Sequence, residues 1–210
     1  MPRGIFRLKQ VYEEQLSGNW STKEDVWNTP SPFTKAFPFG YFSGGTGPIS
    51  TVDRIDYSND TADAVTKGPL SVARYGVGAT GNTSFGYFGG GYPSVSTVDR
   101  IDYSSDTGTA VAKGPLSVIR SFLAATGNAD FGYFGGGFDP NPKSTVDRID
   151  YSNDTATAVA KGPLSVARYG HGATGNSSFG YFGGGAPSRY TSVERVDSSS
   201  GATAAVAEGA

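Results

Sequence analysis

The chain has 210 residues, a net charge of −2, one histidine and no cysteine. No stretch concentrates Lys and Arg as a nucleic acid partner requires, and no run reaches the roughly 18 apolar residues of a membrane-spanning helix. Zero cysteine excludes disulfides, thiolate chemistry and Cys-ligated metals, and fits folding in a reducing cytosol. Thirty-one Gly, 12 Tyr and 13 Phe among Thr- and Val-rich segments favour short strands and tight turns over helices.

Residues 1–38 differ in composition from everything after them and read as an extended arm. The cations in Met1-Pro-Arg-Gly-Ile-Phe-Arg-Leu-Lys9 interrupt what a secretory signal needs as an apolar run. Both tryptophans, Trp20 and Trp27, lie here with Phe6, Tyr12, Phe33 and Phe37. Five buried rings at about 150–250 Å² each would cover roughly 750–1,250 Å², comparable with one side of a standard interface at about 800 Å². Phe6, Tyr12, Trp20, Trp27 and Phe33 are therefore the candidate docking residues of the arm. The same rings can instead wrap its own repeats. Over residues 5–16 the spacing permits a helical face and a strand equally.

From residue 39 the chain repeats itself. Phe-Gly-Tyr-Phe-Gly-Gly-Gly stands at 85–91, 131–137 and 179–185, with a near copy from Phe39 to Gly45, giving periods of 46, 46 and 48 residues. Such periods mark arrays in which one supersecondary unit cannot bury a core alone. One unit reads Arg74 to Asn82, Phe85 to Gly89, Thr97 to Tyr103 and Thr109 to Ala112, with turn residues in each gap. Four short strands on tight connections predict an antiparallel meander, one blade of a β-propeller. Alternation sends Tyr87 and Phe88 to opposite faces, each toward a neighbouring unit. The recurring glycines predict close approach near the inner strands. The earliest unit lacks its first strand, a slot residues 33–38 can fill, so the expectation over 39–210 is an all-β propeller of four four-stranded blades. A closed ring is favoured over an array completed by a partner or by a longer chain, because open edge strands invite pairing.

Arg74, Gly76 and Gly78, then Tyr87-Phe88-Gly89-Gly90, then Thr97-Val-Asp-Arg-Ile-Asp102 resemble the kelch repeat, and the likeness recurs through 39–206. The tryptophan expected late in a kelch blade is absent, with Ala62, Thr109 and Thr157 near its place. The opening Met-Pro-Arg-Gly-Ile-Phe and the repeats together resemble kelch-like proteins of marine tailed phages, cyanophages among them. That resemblance implies a virion structural protein, tail- or capsid-associated, made in the host cytoplasm. It would be present in many copies per particle, docked on other virion proteins by its arm, with its propeller facing a host surface protein or glycan. The alternative is a cytosolic kelch-type adaptor.

No catalytic constellation, cofactor or metal site is expected. His171 occupies a position held by Val77 and Leu123 in other copies, so it reads as packing. The recurring pairs Asp53/Asp56, Asp99/Asp102 and Asp147/Asp150 stand in like environments, which suits ion pairing with the repeated arginines better than acid–base work. Asn59-Asp60 and Asn153-Asp154 lack the ligand density of a calcium loop and read as Asx turns. An enzyme on a propeller scaffold is thereby disfavoured.

The copies agree at Thr-Val-Asp-Arg-Ile-Asp-Tyr-Ser and Lys-Gly-Pro-Leu-Ser-Val. They diverge between the glycine run and the next strand: Thr46 to Ile49, Tyr92 to Val95, Phe138 to Lys143, and Ala186 to Tyr190. Equivalent loops of successive blades share one face, which makes Tyr92, Phe138, Asp139, Lys143, Arg189 and Tyr190 the candidate binding residues. Loop drift after duplication would produce the same divergence.

Overall fold

A computed structural model describes residues 39–45, 47–59, 61–199 and 205–209. The arm residues Phe6, Tyr12, Trp20, Trp27 and Phe33, and the proposed filler strand at 33–38, lie outside the described residues.

The described chain is all-β, with one short 3₁₀ turn at Tyr151–Asn153 and no α-helix among the described residues. The first sheet is β1 (Phe39–Ser43), β2 (Val52–Asp56) and β3 (Val65–Lys67). The second is β4 (Gly78–Gly81), β5 (Phe85–Gly89), β6 (Val98–Asp102) and β7 (Val111–Ala112). The third holds β8 (Ala124–Gly127), β9 (Phe131–Gly135), β10 (Val146–Asp150) and β11 (Val159–Lys161). The fourth holds β12 (Gly172–Gly175), β13 (Phe179–Gly183), β14 (Val193–Asp197) and β15 (Val206–Gly209). Each is an antiparallel meander in sequence order, consistent with propeller blades. β8 lies between β4 and β12. The first sheet has three strands among the described residues.

The cores form between sheets. Phe88 packs with Val52 and Leu70 on the side of the first sheet, whereas Tyr87 joins Phe134 and Ile149 of the third. Tyr133 and Phe182 meet in the same way one seam later. Alternation therefore does send the paired rings to opposite neighbours. For Gly89 and Gly135 the reason differs from the expected close backbone approach: the crowding there comes from a ring of the next sheet. A Cβ on Gly89 would stand 2.6 Å from Cε1 of Phe134, and one on Gly135 would stand 2.6 Å from Cε1 of Phe182.

Arg74, Arg120 and Arg168 pair with acids of their own sheets, and Arg54 and Arg100 with acids across the seams. Arg74 lies 3.1 Å from Asp99 and Arg120 lies 2.9 Å from Asp147, all fully buried. Arg168 pairs with Glu194, the one longer acid in the series. Ser71 and Ser117 add backbone and hydroxyl hydrogen bonds to Asp99 and Asp147 at 2.6–3.0 Å, and Ser165 gives its backbone N–H to Glu194. Burial pulls the Arg74 and Arg120 guanidinium groups below their ordinary value, opposed by the adjacent carboxylates.

A second clamp crosses the seams. Tyr41, Arg54 and Lys67 of the first sheet converge on Asp106 of the second at 2.9, 2.7 and 3.3 Å. Tyr87, Arg100 and Lys113 converge on Asp154 of the third at 3.0, 2.6 and 3.3 Å. Asp154 is thus an ion-clamp residue, which corrects its reading as part of an Asx turn. The Asx turns are made by Asp56, Asp102 and Asp150, each accepting from the backbone N–H and hydroxyl of the serine two residues on.

Asp147→Ala leaves the Arg120 charge buried without its anion, an error that costs about 3–5 kcal/mol. The urea midpoint should fall accordingly, and a loss below about 1 kcal/mol would show that Arg120 finds other compensation.

Candidate functional site

The divergent connections begin at paired glycines that turn the chain out of β5, β9 and β13. Gly90 and Gly91 have φ of +67° and +117°, Gly136 and Gly137 of +62° and +111°, and Gly184 and Gly185 of +74° and +95°, a region that side chains rarely tolerate. Space is also closed: a Cβ on Gly90 would lie 2.6 Å from the Arg120 carbonyl, and one on Gly136 would lie 2.5 Å from that of Arg168.

Each connection is then stitched to the segment that leads into an inner strand. Tyr92 exchanges two backbone hydrogen bonds with Tyr75, at 2.7 and 3.3 Å. Phe138 does the same with Ser121, at 2.8 and 3.1 Å, and Ala186 with Tyr169, at 2.9 and 3.2 Å. These ladders bring rings together. Tyr92 lies 5.2 Å from Tyr75, whose ring meets Phe122 edge-on at 5.7 Å. Phe138 lies 5.1 Å from Tyr169, and the Arg168 guanidinium sits 5.0 Å over the Tyr190 ring. Centroid separations of 4.5–7 Å suit favourable aromatic pairing.

The structure therefore places Tyr92 and Phe138 on a ledge of further rings and Tyr190 under the Arg168 guanidinium. Tyr92 remains 47% exposed, whereas Phe138 and Tyr190 are half-buried. Asp139 and Lys143 close a tight loop, with the Asp139 N–H on the Asn141 carbonyl at 3.0 Å and the Lys143 N–H on the Gly137 carbonyl at 2.8 Å. Arg189 is exposed, at φ +51°. Reading the loops alone missed Tyr75, Phe122 and Tyr169. Their signal was present one or two residues after each repeated arginine.

Phe122 is a special member. Its φ is +54° where Gly76 and Gly170 occupy the equivalent position at +64° and +60°. A non-glycine residue held there costs on the order of 1–3 kcal/mol. What it gains is a ring over Gly76 and beside Tyr75.

His171 lies behind the face, 5.9 Å from the Phe182 ring and against Gly136 and Gly185. Burial, then the nearby Arg168 charge, pushes its pKa down to about 4, so the ring is neutral at pH 7 and packs where Val77 and Leu123 pack. Among the described residues no cluster of three or more His, Asp or Glu is placed to hold a metal ion. The face offers aromatic planes, phenolic hydroxyls and a guanidinium, the means of non-covalent recognition.

Comparison with known proteins finds no matching family model and no matching curated protein.

Because the folded state holds His171 at about pKa 4 and the unfolded chain near 6.5, the unfolded state binds the extra proton first. The contribution is complete above about pH 6.5 and is lost between there and pH 4. His171→Leu should lose less melting temperature than wild type between pH 7 and pH 4. An equal loss in both would remove His171 from the acid response.

Proposed function

We propose that the chain is a virion structural protein of a tailed phage, tail- or capsid-associated, that carries an attachment surface on a kelch-like propeller. The observation that carries the attachment reading is the ledge of rings, Tyr92 on Tyr75 on Phe122 and Phe138 on Tyr169, set at the connections where the repeats diverge. Rigid aromatic side chains on a hydrogen-bonded backbone lose little entropy on binding, which makes them effective anchors. The virion assignment rests on the resemblance of the opening and the repeats to tailed-phage proteins. In this reading residues 1–38 dock on other virion proteins, the face meets a host surface protein or glycan, and many copies per particle supply avidity to weak single contacts.

Mass spectrometry of purified tailed-phage particles should find this chain, including peptides from 1–38, at an abundance stoichiometric with other structural proteins. Absence from particles together with presence in host lysate would overturn the virion reading in favour of a cytosolic adaptor. For the face, Tyr92→Ala combined with Phe138→Ala should weaken competition with phage adsorption about tenfold or more, the effect of losing an interface anchor worth about 1–2 kcal/mol. Unchanged competition by the folded variant would place recognition elsewhere.

A further inference from the structure

The seams between sheets are copies of one interlock, and the two ends of the array carry its unmatched halves. The series of knobs is Phe42, Phe88, Phe134 and Phe182, one per sheet, and the receiving positions are Ser43, Gly89, Gly135 and Gly183. Phe134 covers Gly89 and Phe182 covers Gly135. Phe88, Phe134 and Phe182 are at most 2% exposed, whereas Phe42 is 55% exposed.

The opposite end shows the corresponding vacancy. Among the described residues, a Cβ on Gly183 would meet only Val193 of its own sheet within 4 Å, and Cβ atoms on Gly170 and Gly172 would meet nothing. In the second sheet the equivalent Gly76 is covered by Phe122, and Gly78 by Leu123, Ala124 and Ala125. An open depression of about 320 Å³ lies on this uncovered face, lined by Gly172, Ala173, Thr174, Tyr181, Gly183 and Val193.

We propose that this face binds a second copy of the chain head to tail, with the second copy's Phe42 seated on Gly183 as Phe134 is seated on Gly89. The occupant follows from continuity with the seams already formed: the chain itself carries the missing knob and the missing hole, in matching register, because β1 pairs β2 as β5 pairs β6. Within one chain the two halves do not meet, since Phe42 is exposed and no Phe42 atom lies within 4 Å of a Cβ on Gly183. Such a contact uses different patches on the two partners, so it closes into a ring or extends as a filament.

The charged clamp need not form at this junction. Gly201 stands in sequence where Asp106 and Asp154 stand, and at that third seam the Tyr133 hydroxyl donates to the Ser198 carbonyl at 3.4 Å. On the fourth sheet Glu208 replaces the lysine found at 67, 113 and 161, and it holds Arg195 at 3.1 Å. Glu208 thus brings an anion where each internal seam has a lysine, so the junction is weaker than the internal seams.

Light scattering over a concentration series tests the proposal. The full chain should rise above the 21.8 kDa of one copy as concentration increases, while Phe42→Asp and Gly183→Leu should each remain at that mass. Mixing the two variants should restore a two-chain species, because Phe42 of the Gly183→Leu chain still meets Gly183 of the Phe42→Asp chain. Circular dichroism melts establish that both variants are folded. Glu208→Lys should lower the half-assembly concentration several-fold. The proposal is overturned by a wild type that stays monomeric from micromolar to millimolar concentration, or by folded variants that fail to complement. An oligomer insensitive to both substitutions would also overturn it and give the face to another occupant, such as residues 1–38.

Discussion

Each buried arginine ties two sheets and one connection together, and most of the architecture follows from that staple. The backbone of Arg120 donates to the Val95 carbonyl and accepts from the Gly91 N–H of the preceding connection. Its side chain reaches the Phe134 carbonyl on β9 and Asp147 on β10. Arg74 donates its backbone N–H to the Ile49 carbonyl, and its side chain reaches the Phe88 carbonyl and Asp99. Arg168 repeats the backbone pair with Lys143 and Gly137, and its side chain reaches the Gly184 and Ser192 carbonyls and Glu194. A buried ion pair contributes little net stability once desolvation is counted, but breaking it strands a charge. The staple therefore fixes which backbone segments must lie together. The planar fork of a guanidinium suits this role because it presents several fixed donors at once.

Packing of phenylalanine against glycine supplies the apolar counterpart. A sheet whose glycines receive the neighbour's ring lets Phe134 or Phe182 become fully buried without a cavity on the other side, which dense packing requires. The leucines of the Lys-Gly-Pro-Leu segments, Leu70, Leu116 and Leu164, complete the same clusters. Gly68 and Gly114 of those segments sit where a Cβ would lie 1.8 Å from a carbonyl oxygen of the next sheet's turn, that of Gly108 or Ala156. The segments in which the copies agree are thus the ones that build the seams. The divergent connections lie past the paired glycines, where backbone ladders at Tyr75, Ser121 and Tyr169, rather than the phenylalanine-on-glycine seams, hold them in place.

The same logic relates the interior of the array to its ends. Interior sheets satisfy one neighbour with a knob and the other with a hole. The first and fourth sheets keep Phe42 and Gly183 open. The Arg195–Glu208 pair satisfies locally, in the fourth sheet, a cation that the first and second sheets offer to the next one. Aromatic ledge and open ends are separate surfaces with separate chemistry: the ledge offers hydroxyl-bearing rings and Arg189, and the end offers an apolar depression beside glycine.

Several features were legible from the amino-acid sequence alone. Period, glycine placement and alternation determine the four-unit antiparallel plan, the opposite-facing Tyr87 and Phe88, and the packing role of His171, because these depend on backbone geometry and on the repeat itself. Tertiary structure decided which acid each arginine meets, since Asp99 and Asp106 are both near arginines in sequence and only the fold puts one inside a sheet and the other across a seam. It also decided that Tyr75, Phe122 and Tyr169 underlie Tyr92 and Phe138, because those contacts join segments brought together by backbone pairing between strands. And it decided that Phe42 is exposed while its three counterparts are buried. A local pattern cannot distinguish four equivalent phenylalanines; only the presence or absence of a neighbouring sheet does.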